Sequence, residues 1–250
     1  MPVPNNAAPQ SETDAFTVPE GYTRIKIVGS FGELVNFPFG PEVNAICWQR
    51  ELPGDFDELA ALFRQEEDVT SLDEDLLRDL REDLSPAGRA AAEALLKDQR
   101  LLRDYGLKPS LECVPRYLRD EAAAIVPTDV YSFHADRATV KTDTYLCSYN
   151  EFATEGLRNE EAQRHIDLPA THTKLLKQFE QDGGGDFEEY LRENCYDLHY
   201  APLPGAVPFS FGLGNLWRIA VEYPHCPVPP CLHRAPETVE GRLPRLLLIS

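Results

Sequence analysis

ATVKTDTYLCSYN, residues 138–150, alternates in a period of two. Val140, Thr142, Thr144 and Leu146 fall on one side; Lys141, Asp143, Tyr145 and Cys147 fall on the other. Side chains two apart share a face of a strand, so this stretch reads as a strand. The same enrichment in Val, Tyr, Thr and Phe recurs in LECVPRY (111–117) and DVYSFHAD (129–136) before it. It returns in VPFSFGL (207–213), NLWRIAVEY (215–223) and RLLLIS (245–250) after it. An earlier strand is expected in TRIKIVGSF (23–31), and VNAICWQREL (43–52) begins apolar and ends at a turn.

Between these strands the period changes. Asp55 is an N-cap for DFDELAALFRQ, in which Leu59, Leu62 and Phe63 recur at helical spacing. A second helix is expected near Leu72 to Leu84. A third opens on Pro86 and stops near Gly106. The expected order is a lead-in over 1–20 and one domain over 21–250. Within that domain come a helical layer at 55–106 and a β core at 109–250, with a polar helical insert near 157–197. Helices followed by many short strands predict an α+β fold with a mostly β core, a sandwich or barrel with helices packed outside it.

The 250 residues are enough for a full hydrophobic core, and 42% hydrophobic with 26% charged is ordinary for a globular chain. No apolar run approaches the length of a bilayer span. The opening residues lack the basic and apolar regions of a secretory signal. The net charge of −18 argues against a nucleic-acid partner, because a polyanion cannot neutralise phosphates. Much of that charge lies between Glu51 and Asp104, as the solvated faces of helices. Six scattered cysteines without an export signal predict reduced thiols and a cytoplasmic setting. HCPVPPCLH (225–233) holds potential zinc ligands, but no second cysteine pair lies nearby. Nothing in the sequence sets an oligomeric state.

His134 and Asp136 stand two apart in a strand, which places an imidazole and a carboxylate side by side. They are two of the three ligands of a 2-His-1-carboxylate site for ferrous iron. Alone the pair is weak: six histidines and 18 aspartates give roughly 0.4 such pairs by chance. His165 and Asp167 repeat the spacing, but in a polar stretch read as helix or loop, where the two side chains diverge. The third ligand has to come from a distant segment, and His233, 97 residues after Asp136, is the candidate. Arg242 and Arg245 follow it by nine and twelve residues. Each has a plainer use: His134 with Asp136 as a buried hydrogen-bonded couple, His233 in a turn beside Pro236, and Arg245 in an ion pair.

A His-Ala-Asp, a distant His and an Arg ten to twelve residues later together resemble the iron- and 2-oxoglutarate-dependent dioxygenases. That resemblance implies a double-stranded β-helix (a jelly roll) and Fe(II) held by His134, Asp136 and His233. It also implies that Arg245, or else Arg242, receives the far carboxylate of 2-oxoglutarate, with Tyr145 in the pocket wall. The implied reaction is oxidation, most simply hydroxylation, of a small molecule. Asp136 at the carboxylate position argues against a halogenase, which leaves that coordination position for halide. A narrower resemblance rests on VNAICWQRELP (43–53), FHAD (133–136), TYLCSYNEFATEGLRNEEA (144–162) and LHRAPETVEGRLPRLLLIS (232–250). Together these look like the bacterial family called domain of unknown function 1826, over about 200 residues. That likeness supports the fold and carries no activity with it. Trp48, Gln49 and Arg50 are open to two readings, a pocket wall or an anchor between helices and sheet. Two other functions fit the same residues: a cupin-like metal enzyme that does not use 2-oxoglutarate, and a non-catalytic metal-binding protein.

Overall fold

A computed structural model describes residues 16–120 and 124–250. The chain runs β1 (Ile25–Val28), α1 (Phe31–Asn36), β2 (Ala45–Trp48), α2 (Phe56–Ala61), β3 (Thr70–Ser71), α3 (Glu74–Asp79) and α4 (Pro86–Asp104). There follow β4 (Ser110–Val114), β5 (Phe133–His134), β6 (Asp143–Ser148), β7 (Glu155–Leu157) and β8 (Ala162–Arg164). Next come α5 (Pro169–Gln181) and α6 (Phe187–Glu193). The last strands are β9 (His199–Pro202), β10 (Phe209–Ser210), β11 (Leu216–Ala220), β12 (Leu232–Arg234) and β13 (Arg245–Ile249).

The strands form two sheets. One has seven strands in the order β1-β2-β11-β6-β13-β4-β3, antiparallel except for the β1–β2 pair. The other is antiparallel with six, β10-β7-β12-β5-β9-β8. The fold is therefore α+β with a mostly β core.

Alternation along β6 decides which side faces what. Tyr145 and Cys147 join Ile46, Leu216, Leu246 and Leu248 on the face covered by the helical layer. Leu146 packs the other way, with Trp217 and Phe211. The same inner face turns Thr144 and Ser148 toward residues of the second sheet's segments: Thr144 Oγ1 reaches Asp136, and Ser148 takes part in the Arg245 contacts that also involve Thr154.

The helical layer is built on α4. Ser85 caps it by accepting from the amides of Ala87 and Gly88, and Pro86 takes the first turn, where its missing N–H costs nothing. Ala91, Ala92, Leu95 and Leu102 are fully buried on one stripe. Asp55 caps α2 as expected, accepting from the Glu58 amide. The loop before it abuts α4 closely: a Cβ at Gly54, where φ is +122°, would overlap the backbone of Ala91.

Three boundaries differ from expectation. The sequence predicts a lead-in over 1–20; residues 1–15 lie outside the described residues, but Phe16 is buried edge-on against Trp217. The packed chain therefore includes residues before 21. The helical layer contains a two-residue strand, β3, paired with β4. The insert at 157–197 is α-helical only from Pro169; its first part holds the end of β7, the edge strand β8 and two 3-10 turns. Strands this short carry no periodic signal, and pairing with β9 rather than propensity makes β8 extended.

Candidate metal centre

His134 ends the two-residue strand β5. Phe133 packs outward with Leu157 and Leu232, so His134 takes the inner face. The chain stays extended beyond it: Ala135 N–H donates to the Leu198 carbonyl and Glu222 N–H to the Asp136 carbonyl. That keeps Asp136 on the His134 side, as a strand requires of residues two apart. His233 on β12 stands directly opposite His134 in the antiparallel register, with ring centroids 4.6 Å apart. One ligand atom from each of His134, Asp136 and His233 lies within 4.8 Å of the others. The Nε2 of His233 is 3.8 Å from the Oδ1 of Asp136. Two ligands at right angles on a metal, with bonds near 2.1 Å, stand about 3 Å apart, so a small side-chain rotation closes the set.

Each ligand is held from behind. The Nδ1 of His134 is 2.8 Å from the Ser132 carbonyl oxygen, and that of His233 is 3.4 Å from the Cys231 carbonyl. A carbonyl only accepts, so each Nδ1 carries a proton, and in the neutral ring that tautomer leaves the Nε2 lone pair for a metal. Thr144 donates to Oδ2 of Asp136 at 2.6 Å, leaving Oδ1 on the side of His233. Burial alone would raise the carboxyl pKa of Asp136. The His233 ring, the Thr144 hydroxyl and His134 outweigh it and hold it below the usual value. Burial, assisted by His233, lowers the pKa of His134 from 6.5 to about 4, which keeps the imidazole neutral and able to ligate.

A third histidine continues the row. His199 on β9 pairs with His134 in register, its ring centroid 5.6 Å away, and its Nδ1 lies 2.5 Å from the Ser132 hydroxyl. A cleft of about 540 Å³ opens beside these residues, lined by His134, Asp136, His199, Arg137 and Arg192 among others.

Arg245 lies at the start of β13 and is 7% exposed. Its guanidinium donates to Ser148 Oγ at 2.7 Å, Thr154 Oγ1 at 2.6 Å and the Tyr117 hydroxyl at 3.2 Å. Its Nε is buried without a partner. No carboxylate among the described residues pairs with it, although the chain carries 42 acidic side chains. Burial drives its pKa down from the usual arginine value, against the pull of Tyr117. A buried cation ringed by three neutral hydroxyls is costly until an anion joins it.

The other sequence candidates fall elsewhere. Tyr145 does not line the site: it faces the helical layer, because Thr144 and Ser148 occupy the inner face of the same strand. Arg242 pairs with Glu151 at 2.8 Å and lines, with Arg245 and Tyr117, a small pocket whose lining does not include His134, Asp136 or His233. Arg50 is a structural anchor; it grips Asp98 of α4, and its Nε donates to the Gly214 carbonyl at 2.7 Å. His165 and Asp167 lie in a 3-10 turn where Asp167 pairs with Arg164. Among the described residues the His134–Asp136–His233 group is the only convergence of three His, Cys, Asp or Glu side chains. Cys226 and Cys231 are thus not part of a second such group, and all six cysteines are free thiols. No described helix is long and apolar enough to cross a membrane.

No family model, curated protein or solved structure matches this chain. The reading of the site rests on its own geometry.

Sequence reasoning missed the groups behind the ligands: Ser132, Thr144, Ser148, Thr154 and Tyr117. Thr144 and Ser148 carried a signal, since the alternation of ATVKTDTYLCSYN puts polar groups on the face of Leu146. Ser132 and Cys231 act through backbone carbonyls and Tyr117 from a loop, which no side-chain pattern marks.

Proposed function

We propose that this protein is a mononuclear non-haem Fe(II), 2-oxoglutarate-dependent oxygenase that oxidises a small molecule, most simply by hydroxylation. On this reading the two sheets are a double-stranded β-helix of the iron- and 2-oxoglutarate-dependent dioxygenases, and the domain of unknown function 1826 is the nearer family. The observation that carries it is the pairing of two features. Two imidazoles and a carboxylate converge with their metal-facing atoms free, and a buried guanidinium lacks a counter-ion. The first suits a divalent metal bound on one face, with open positions opposite. The second favours a carboxylate-bearing cosubstrate over a cupin-like reaction that has no use for one.

His134, Asp136 and His233 would hold the metal. An Fe(II) held there would supply the oxidising power for hydroxylating a C–H bond, with dioxygen as oxidant and 2-oxoglutarate as co-reductant leaving as succinate and CO2. The protein's part is placement. Ser132 and Cys231 carbonyls fix the two ring tautomers, and Thr144 turns the carboxylate. Arg245 receives the far carboxylate through a fork of donors, with Ser148, Thr154 and Tyr117 holding the guanidinium in place. Thr144 touches Asp136 and Ser148 touches Arg245, four residues apart on one face of β6, roughly 13 Å at strand rise. That interval accommodates a five-carbon diacid and its contacts at both ends. A cytoplasmic setting, where free thiols persist, completes the proposal.

The test is oxygen uptake by anaerobically purified, Fe(II)-loaded protein on adding 2-oxoglutarate, with succinate measured in parallel. Slow uncoupled turnover that disappears in Arg245→Gln is expected. Metal binding with no succinate from wild type, across a broad set of small-molecule candidates, overturns the 2-oxoglutarate assignment.

A further inference from the structure

The cleft beside the His134–Asp136 pair offers guanidinium groups that the charge of the whole chain does not suggest. A net charge of −18 points to cationic small molecules. Two guanidinium groups, those of Arg137 and Arg192, nevertheless line this cleft of about 540 Å³. Arg137 is braced: its Nη2 contacts both Asp197 and Glu222, and neither its Nε nor its Nη1 makes a protein hydrogen bond among the described residues. Arg192, in the last turn of α6, has no ion pair among the described residues, even with Glu188 and Glu189 one turn away. Two acids share the wall. Asp136 belongs to the proposed metal site and accepts from Thr144, and Asp129 is already taken: its oxygens accept from the amides of Tyr131, Ser132 and Asp120. With Asp136 left to the metal, the side chains free for a ligand are the unpaired Arg192 and the Nε and Nη1 donors of Arg137, whose charge Asp197 and Glu222 balance.

Resting on the proposed function, we infer that this cleft receives the primary substrate and that the substrate bears an oxyanion, a carboxylate or a phosphoryl group, held by Arg192 with Arg137 beside it. A guanidinium fork matches either oxyanion with two parallel hydrogen bonds. The cleft volume lies within the range that encloses a small organic molecule. A second anion-holding group keeps the substrate's acid apart from the cosubstrate's, which Arg245 takes on the inner face of the other sheet.

Four fluorinated probes of one size test this: 4-fluorophenylacetate, 4-fluorobenzylphosphonate, 4-fluorophenylacetamide and 4-fluorobenzylammonium. Fluorine line broadening by Mn(II)-loaded full-length protein, with 2-oxoglutarate saturating, reports binding near the metal. At least one anion is expected to bind tenfold or more tightly than the amide or the ammonium. Arg192→Gln, an exposed position that leaves the fold intact, is expected to erase that preference, whereas Arg245→Gln is expected to keep it. The ranking of carboxylate against phosphonate identifies the oxyanion. Equal or tighter binding of the amide or ammonium, or an anion preference that survives Arg192→Gln, overturns the inference. Calorimetry of the same probes separates the two readings. A protein that holds no Mn(II), yet shows an anion preference lost in Arg192→Gln, refutes the metal centre and upholds the anion site.

Discussion

Ser132 serves two imidazoles at once. Its carbonyl oxygen accepts from Nδ1 of His134, and its hydroxyl meets Nδ1 of His199. Thr144 does the equivalent for Asp136. Groups behind metal ligands set ligand orientation, and losing one typically costs 10- to 100-fold in affinity. Thr144→Val is therefore expected to weaken Mn(II) binding by about tenfold or more while leaving the thermal midpoint of the metal-free protein nearly unchanged. Isothermal titration checks it, and equal affinity would show the hydroxyl to be idle. The buried histidines also make a pH prediction. Burial lowers the pKa of both His134 and His199 from 6.5 to about 4. Both are neutral in the folded chain and protonate more readily once unfolded. Stability is then complete above about pH 6.5 and is lost as pH falls toward 4. The urea midpoint of metal-free protein should drop over that window, and a flat profile would contradict the burial described here. At this scale the sequence was informative where a face could be assigned. The convergence of His134, Asp136 and His233 is legible through strand context and order along the chain. Tyr145 was misplaced because an aromatic near the motif was given a pocket role that the alternation of its own strand denies it.

Strands of two or three residues carry the site. β5 and β12 are held in place by neighbours, and Gly156 of β7 lies opposite His233. A Cβ there would overlap the rings of Phe209 and Phe211, which cover the glycine. Gly156→Ala is expected to cost about 1–3 kcal/mol through overpacking and to displace Phe209. Chemical denaturation measures the cost, and a neutral result would mean that the rings move aside freely. Longer elements were legible: β6, β11, β13 and α4 each show enough residues for a period to repeat. β3, β7, β8, β9 and β12 were not, because tertiary pairing rather than local preference makes them extended.

Across the whole molecule, the helical layer and the seven-stranded sheet are joined by more than apolar packing. Arg50, just after β2, binds Asp98 of α4, and Tyr149, just after β6, donates to the same carboxylate at 2.8 Å. The side chains of Arg50 and Asp98 are 9% and 1% exposed. Removing one partner of so buried a pair strands the other charge, so Asp98→Ala is expected to lose about 3–5 kcal/mol. Equilibrium unfolding measures that loss, and a change below about 1 kcal/mol would rule out the pair as a structural tie. The architecture pairs β5 with β12 although about a hundred residues of chain separate them. That pairing is what lets His134, Asp136 and His233 converge. The most direct check is the stoichiometry of Mn(II) or Fe(II) bound to anaerobically purified protein, measured by titration with metal analysis. One ion per chain for wild type, falling below one tenth in a folded His233→Ala variant, is the expected result. Full binding in that variant, or none in wild type, would contradict the centre.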